Sequence, residues 1–112
     1  MEKMSHSLCM SDFQNLSYSL LNTLTEMIDK VDVDGVLDCE NCDGVVKISD
    51  NNGNLYIINK HEPSMQIWVA SPISGSVRFS YDKSLNAWIN GKNDELFSFL
   101  RIEMKVLFDI VM

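Results

Sequence analysis

The chain has 112 residues, of which 46% are hydrophobic, and it carries a formal net charge of −7 at pH 7. This length fits one domain, and the apolar content excludes a disordered chain. The acidic balance repels phosphates and anionic lipids, so neither nucleic acid nor a membrane is an expected partner. The odd set of cysteines, Cys9, Cys39 and Cys42, predicts reduced thiols in an internal compartment.

The first predicted element is a helix from Asp12 to Val31. Its apolar residues recur at steps of three and four and share one face: Phe13, Leu16, Leu20, Leu24, Met27 and Val31. Ser11 and Gln14 have the spacing of a capping box, in which each side chain bonds the other's backbone amide. Residues 1–10 are expected to be a flexible N-terminus, without a signal peptide or a recognisable presequence.

Six short runs rich in β-branched and aromatic residues follow, separated by turn residues. We predict strands at Val36–Glu40, Val45–Ser49, Leu55–Lys60, Gln66–Ser71, Val77–Tyr81 and Ala87–Asn90. Asp43-Gly44 and Asn52-Gly53 are hairpin signals, because these residue types tolerate a positive φ. Connections this short join neighbouring antiparallel strands.

Helical periodicity returns after Asn93, the predicted N-cap of a second helix that runs to Met112. One face of this helix is apolar: Phe97, Leu100, Met104, Leu107, Phe108 and Val111. Each helix must bury its apolar face, and the sheet needs one face covered. The predicted fold is therefore α+β, a single domain over residues 1–112 with an antiparallel β-sheet and two helices packed on one face. The other face is left open to water or to a partner.

Signals for classical catalysis are weak. The two histidines, His6 and His61, have no metalloprotease or zinc-finger spacing, and His61 is interpreted as a surface histidine in a loop. Cys39 and Cys42 form a lone C-x-x-C, which is compatible with a redox pair or with half of a zinc site completed by Cys9 and His6. We favour two ordinary thiols at the end of a strand.

Acidic residues cluster between the end of the first predicted helix and the start of the sheet: Glu26, Asp29, Asp32, Asp34, Asp38, Glu40 and Asp43. Carboxylate oxygens bind hard cations, and iron accepts such ligands. The same charges favour docking of a basic partner. Most charge runs, however, are simply solvated surface. Charge alone does not choose among these three interpretations.

The open face of the sheet carries the most specific binding signal. Ile67 and Val69 alternate with Trp68, so Trp68 points outward if the apolar pair faces the helices. By the same parity three polar residues join it: Asn59, Gln66 and Arg78. An outward tryptophan among amide and guanidinium groups resembles a binding hot spot. The competing interpretation places Trp68 in the core, for which Trp88 and Tyr81 are better candidates.

One set of residues in the middle of the chain is distinctive in both identity and spacing: Leu55-Tyr56-Ile57-Ile58-Asn59-Lys60, Pro63, Gln66-Ile67-Trp68, Ser71-Pro72, Ser74-Gly75 and Arg78-Phe79. This set resembles the signature core of the frataxin family, and its eukaryotic branch more than its bacterial one. The resemblance extends to Trp88 and Asp94-Glu95-Leu96, and it covers most of the chain from Asp12 onward.

The resemblance implies a function in iron–sulfur cluster assembly. It implies a mitochondrial protein, in the matrix or in a mitosome, that docks on a cysteine desulfurase–scaffold complex and promotes sulfur transfer. A monomer is expected. The family's partner-contact residues match four positions: Asn59, Gln66, Trp68 and Arg78. Its acidic positions, which bind iron weakly, match three: Glu26, Asp29 and Asp38.

Several residues depart from the family pattern. Tyr18, Asn22 and Thr25 stand where carboxylates are common, and Val36 replaces another, so strong iron storage is not expected. The alternative function is a ferroxidase that converts Fe(II) to Fe(III), although the sequence has no Glu-x-x-His pair of the di-iron type. A third hypothesis, an interaction domain unrelated to iron, is disfavoured only by the resemblance.

Overall fold

The computed structural model describes residues 8–112, which form two helices and one six-stranded antiparallel sheet. In chain order the elements are α1 (Met10–Val31), β1 (Asp38–Cys42), β2 (Val45–Ser49), β3 (Leu55–His61), β4 (Gln66–Ser71), β5 (Gly75–Asp82), β6 (Ala87–Ile89) and α2 (Leu96–Phe108). The strands lie in the order β1-β2-β3-β4-β5-β6, and the helices pack on one face of the sheet. The predicted fold class is confirmed.

The expected flexible N-terminus, residues 1–10, falls mostly outside the described residues. Of its last three residues, Leu8 joins the hydrophobic core and Met10 begins α1. No helix within residues 8–112 is long and apolar enough to cross a membrane.

The hydrophobic core lies between the helices and the inner face of the sheet. Strand alternation decides which residues reach it, because successive side chains point to opposite faces. In β4, Ile67 and Val69 are fully buried while Trp68 is only half-buried. Trp88 is buried at 5% exposure, and Tyr81 packs against it with ring centroids 5.2 Å apart. The core prediction for Trp88 is confirmed, and the parity that places Trp68 on the open face holds.

The predicted capping box at the start of α1 is wrong. The helix begins at Met10 with Cys9 as its N-cap, and no side chain caps it. The Gln14 side chain instead donates to Glu62 Oε2 at 2.8 Å and accepts from Lys60 Nζ at 2.7 Å. These two partners come from the end of β3 and the turn after it. Bonds from Gln14 and Lys60 also lower the pKa of the Glu62 carboxyl.

The first strand begins two residues later than predicted. The carboxylate of Asp32 accepts from the backbone amides of Val36 and Leu37, both at 2.9 Å. These bonds hold the two amides in a loop, so neither residue joins the sheet and β1 begins at Asp38. Side-chain bonds of this kind compete with secondary structure for the same backbone groups.

The predicted limits of α2 are also wrong. Glu95, not Asn93, is its N-cap, and its carboxylate accepts from the amides of Phe97 and Ser98. The helix ends at Phe108 because Asp109 adopts a left-handed conformation with φ 57°. That conformation stops a right-handed helix, and it leaves Val111 69% exposed rather than on the buried face.

One carboxyl group lies inside the domain. Glu103 of α2 is 6% exposed, and its Oε1 accepts from Tyr56 Oη at 2.7 Å and from Ser71 Oγ at 2.6 Å. Its other oxygen accepts from Ser74 Oγ. Burial, together with the bond to Glu103, raises the pKa of Tyr56 well above its ordinary value. Glu103 thus connects α2 to β3, β4 and the turn that leads into β5.

Candidate functional site

Three of the predicted partner-binding residues form one row across the open face of the sheet. Asn59 of β3 lies directly opposite Trp68 of β4, and Trp68 lies opposite Arg78 of β5. Side chains opposite each other on one face of an antiparallel pair are in reach of one another. The fourth residue, Gln66, is two residues from Trp68 on the same face. The structure therefore brings the four predicted residues together, although their role in partner binding stays a prediction.

The indole of Trp68 is held on three sides. Its Nε1 donates to Gln66 Oε1 at 2.9 Å, and Gln66 Nε2 in turn donates to Ser80 Oγ at 3.1 Å. The guanidinium carbon of Arg78 lies 4.4 Å from the ring centroid, which is a cation–π contact. The His61 ring stacks on Trp68 with centroids 3.7 Å apart and planes 11° from parallel. These contacts fix the side chain in one orientation.

His61 belongs to this site, although its sequence context predicted a surface residue in a loop. It is the last residue of β3, directly opposite Gln66, and its Nδ1 lies 2.7 Å from Ser64 Oγ in the following turn. Strand parity could have predicted this position, because His61 and Asn59 are two residues apart and such residues share a face of the sheet. The predicted strand ended at Lys60, however, one residue too early for this rule to include His61.

A small cleft of about 200 Å³ lies beside Trp68 on the open face. Ile57 and Ala70 give it apolar walls, and Asn59 and Arg78 give it polar ones. Fixed aromatic and guanidinium groups around an apolar recess are typical of the central part of a protein–protein interface. The arrangement suits a protruding apolar side chain of a partner that also offers a hydrogen-bond acceptor to Arg78.

The acidic residues are dispersed rather than gathered. Glu26, Asp29 and Asp34 are exposed in α1 and the loop after it, and Asp43 is exposed in the β1–β2 turn. Asp38 and Glu40 point by alternation to the opposite face of β1 from Asn41, whose amide donates to Asn22 of α1 at 3.0 Å. Within residues 8–112 no three His, Cys, Asp or Glu side chains are close enough together to hold a metal ion.

Asp32 differs from the other predicted iron ligands. Both of its carboxylate oxygens already accept backbone hydrogen bonds, so the structure gives this residue a structural role in the α1–β1 loop. The remaining six carboxylates offer oxygen ligands that suit a hard cation, but each would have to be ordered around the ion on binding. Such a donor set suits a loosely held cargo ion rather than a fixed metal centre.

The two cysteines of the C-x-x-C do not form a joint site. Cys39 packs on the helix-facing side of β1, whereas Cys42, three residues later, faces the other way. Burial, with a further contribution from the nearby charge of Asp29, raises the pKa of the Cys39 thiol to about 11. A protonated thiol on one face and an exposed thiol on the other support the interpretation as ordinary thiols. His6, the other suggested zinc ligand, lies outside the described residues.

Comparison with known sequences gives a consistent result. The frataxin-like domain matches residues 6–109. The chain is 34% identical over 101 residues to a curated relative, the mitochondrial frataxin of Arabidopsis thaliana, covering 86% of this chain. The matched region is 54% of that relative, so the chain spans about half the length of the plant protein.

Solved structures share the same fold. Frataxin from Psychromonas ingrahamii superposes with a TM-score of 0.81 at 21% identity, covering 94% of this chain and 96% of that one. Yeast frataxin gives a TM-score of 0.74 at 25% identity, covering 92% and 85% of the two chains. Trimeric frataxin from Saccharomyces cerevisiae complexed with ferrous iron gives 0.64 at 29% identity, covering 95% and 88%.

Proposed function

This chain belongs to the frataxin-like family, and from that premise we propose that it acts in iron–sulfur cluster assembly. It docks on a complex of a cysteine desulfurase with its scaffold protein and promotes sulfur transfer to the scaffold. The mitochondrial name of the plant relative supports action in the mitochondrial matrix, or in a mitosome where the organelle is reduced.

The observation that carries this proposal is the row formed by Asn59, Trp68 and Arg78 on the open face, which we call the Trp68 row. Docking requires a surface patch whose side chains are held in place, because freezing mobile side chains on association costs free energy. Here the indole is already fixed by Gln66, Arg78 and His61. We therefore assign the protein the role of an activator that acts by binding.

The proposal is tested by adding the purified protein to a reconstituted desulfurase–scaffold assay. We expect the rate of cluster formation on the scaffold to rise and to saturate with protein concentration. The control is a charge variant of the open face, Arg78→Glu, which should raise the rate far less at the same concentration. No change in rate at saturating protein would refute the proposed function.

Iron is proposed as a weakly held cargo. The dispersed carboxylates supply suitable oxygen atoms but no preformed cage, and the yeast relative complexed with ferrous iron supports contact with this ion. A ferroxidase, the second hypothesis, needs ligands fixed at one centre so that the metal can change oxidation state in place. Binding of transient cargo makes no such demand, so we rank it first.

An anaerobic NMR titration with Fe(II) is expected to show weak binding. The amide signals that broaden first should be those near the six available carboxylates: Glu26, Asp29, Asp34, Asp38, Glu40 and Asp43. Asp32→Asn should change iron affinity less than Asp34→Asn does, because the Asp32 carboxylate already accepts two backbone hydrogen bonds. If broadening instead begins at Cys39 and Cys42, a soft-ligand site is the better description.

A further inference from the structure

One half of β5 has a strand partner on one side only. Between Gly75 and Phe79 the strand pairs with β4, but β6 pairs with residues Ser80 to Asp82 alone. Within residues 8–112 no strand and no backbone hydrogen bond occupies the outer side of residues 75–79, which we call the outer edge of β5. Five strand residues span about 17 Å. The outer edge of β5 therefore presents a row of main-chain donors and acceptors.

A groove of about 680 Å³ lies beside the outer edge of β5. Residues 76–78 line one part of it, the loop of residues 90–92 lines another, and Phe99 of α2 also contributes. The groove remains open because β6 ends at Ile89, where a single bridge to Glu95 leads the chain into α2. This is the position that a longer β6, or an added strand in line with β6, would occupy.

The opposite edge of the sheet is protected in a way that the outer edge of β5 is not. β1 is five residues long and carries Asp38 and Glu40, and charged side chains on an edge strand discourage pairing with another chain. The outer edge of β5 contains neither proline nor an acidic residue, and its pairing with β4 runs without a bulge. Its one charged residue is Arg78. With one charged residue against two in β1, the outer edge of β5 resists an added strand less than β1 does.

The side chains around the groove define what kind of strand would fit. Arg78 lies on the open face and Lys92 adds a second cation from the loop, while the one carboxylate of the lining, Asp94, accepts from Asn90 Nδ2 at 3.3 Å. Val77 and Phe99 are half-buried on the helix-facing side, where Phe99 meets Phe79 with ring centroids 5.4 Å apart. Successive residues of a strand point to opposite faces. A matching segment therefore alternates acidic residues, which meet the cations, with apolar residues.

We propose that the outer edge of β5 binds an extended segment of a partner protein by strand addition, and that this segment alternates acidic and apolar side chains over about five residues. Main-chain hydrogen bonds supply affinity, and the groove side chains select the sequence. Because Arg78 borders both the groove and Trp68, the bound segment lies next to the docking face. That the segment belongs to a cluster-assembly partner rests on the proposed function; strand addition itself does not.

The test uses the full chain and a capped synthetic peptide of about six residues in which glutamate and valine alternate. On addition of the peptide we expect NMR shifts at residues 75–79 and 90–92, and slower amide hydrogen exchange along the outer edge of β5. A lysine–valine peptide should bind more weakly. Lys92→Glu should lower affinity for the glutamate peptide by roughly two- to fivefold, the effect of one exposed ion pair.

Backbone methylation separates strand addition from simple charge attraction. A strand pairs through the alternate amides of one side, so the peptide methylated along one side should still bind, and the peptide methylated along the other should not. Equal binding of the two methylated peptides, or shifts that lie outside the groove, would overturn the proposal. Activation of the desulfurase is measured without the peptide, so the two hypotheses fail independently.

Discussion

Replacement of Trp68 by alanine is expected to weaken docking on the desulfurase–scaffold complex by about thirtyfold, or about 2 kcal/mol. The indole occupies the middle of the cross-strand row, between Asn59 and Arg78. Aromatic side chains at the centre of an interface contribute most when they are fixed before binding, because little rotamer entropy is then lost. The change should appear as a higher protein concentration needed for half-maximal activation.

The same substitution should leave the domain folded. Trp68 points away from the helices. Its removal loses one stacked ring, one cation–π contact and the hydrogen bond to Gln66, each worth about 1 kcal/mol at a partly exposed site. That loss is small compared with the free energy of unfolding of a typical domain, which is about 5–15 kcal/mol. Urea unfolding of Trp68→Ala should therefore remain cooperative, with a modestly lower midpoint.

Three further variants make this experiment decisive. Trp68→Phe keeps a ring in the stack but loses the bond to Gln66, so its docking should lie between wild type and alanine. His61→Gln removes the stacked ring and should weaken docking by less than Trp68→Ala does. Leu85→Ala, at an exposed position in the β5–β6 turn, is the control and should dock as wild type. If Trp68→Ala is folded and activates normally, the Trp68 row is not the docking surface.

Replacement of Glu103 by alanine is expected to lower the free energy of unfolding by about 3 kcal/mol. The buried hydroxyls of Tyr56 and Ser71 would lose this acceptor, at about 1–3 kcal/mol each. The exposed Ser74 would lose a bond that water can replace. A buried hydroxyl without a partner is costly because it has given up its bonds to water. This is the largest stability effect we expect from a polar residue of the chain.

Denaturant unfolding followed by far-ultraviolet circular dichroism measures this loss. Glu103→Gln keeps the side-chain volume and one acceptor oxygen, so it should recover part of the lost stability. The control is Arg101→Ala. Arg101 lies on the exposed side of the same helix, so this substitution should change the free energy of unfolding by less than about 0.5 kcal/mol. A Glu103→Ala protein that unfolds at the wild-type midpoint would show that the buried network adds no stability.

Much of the fold could be predicted because the spacing of apolar residues along the chain indicates which elements form and which side of each is buried. The alternation of Ile67 and Val69 with Trp68 determined which face each residue occupies, since a one-residue slip would bury Trp68 and expose both aliphatic neighbours. Turn chemistry at Asp43 and Gly44 was equally local, and both residues adopt the expected positive φ. Strand parity also placed the four predicted partner residues on one face of the sheet.

The ends of the elements depended on competition between distant groups. Gln14 has the spacing to cap α1, but Glu62 and Lys60 engage its side chain from across the fold. The carboxylate of Asp32 takes the amides that would otherwise have started β1. A spacing rule compares a residue with its chain neighbours only, so it cannot weigh a partner that tertiary packing brings close.

The sequence by itself determined the class of fold, the side of each helix that packs on the sheet and the open-face parity of Trp68. Tertiary structure alone decided that His61 stacks on this ring, that Glu103 lies inside the domain, and that the seven acidic residues stay apart. The physical reason is that periodicity records only whether a side chain faces inward or outward. Which groups meet depends on strand register and on how the helices lie across the sheet, and these are properties of the assembled domain.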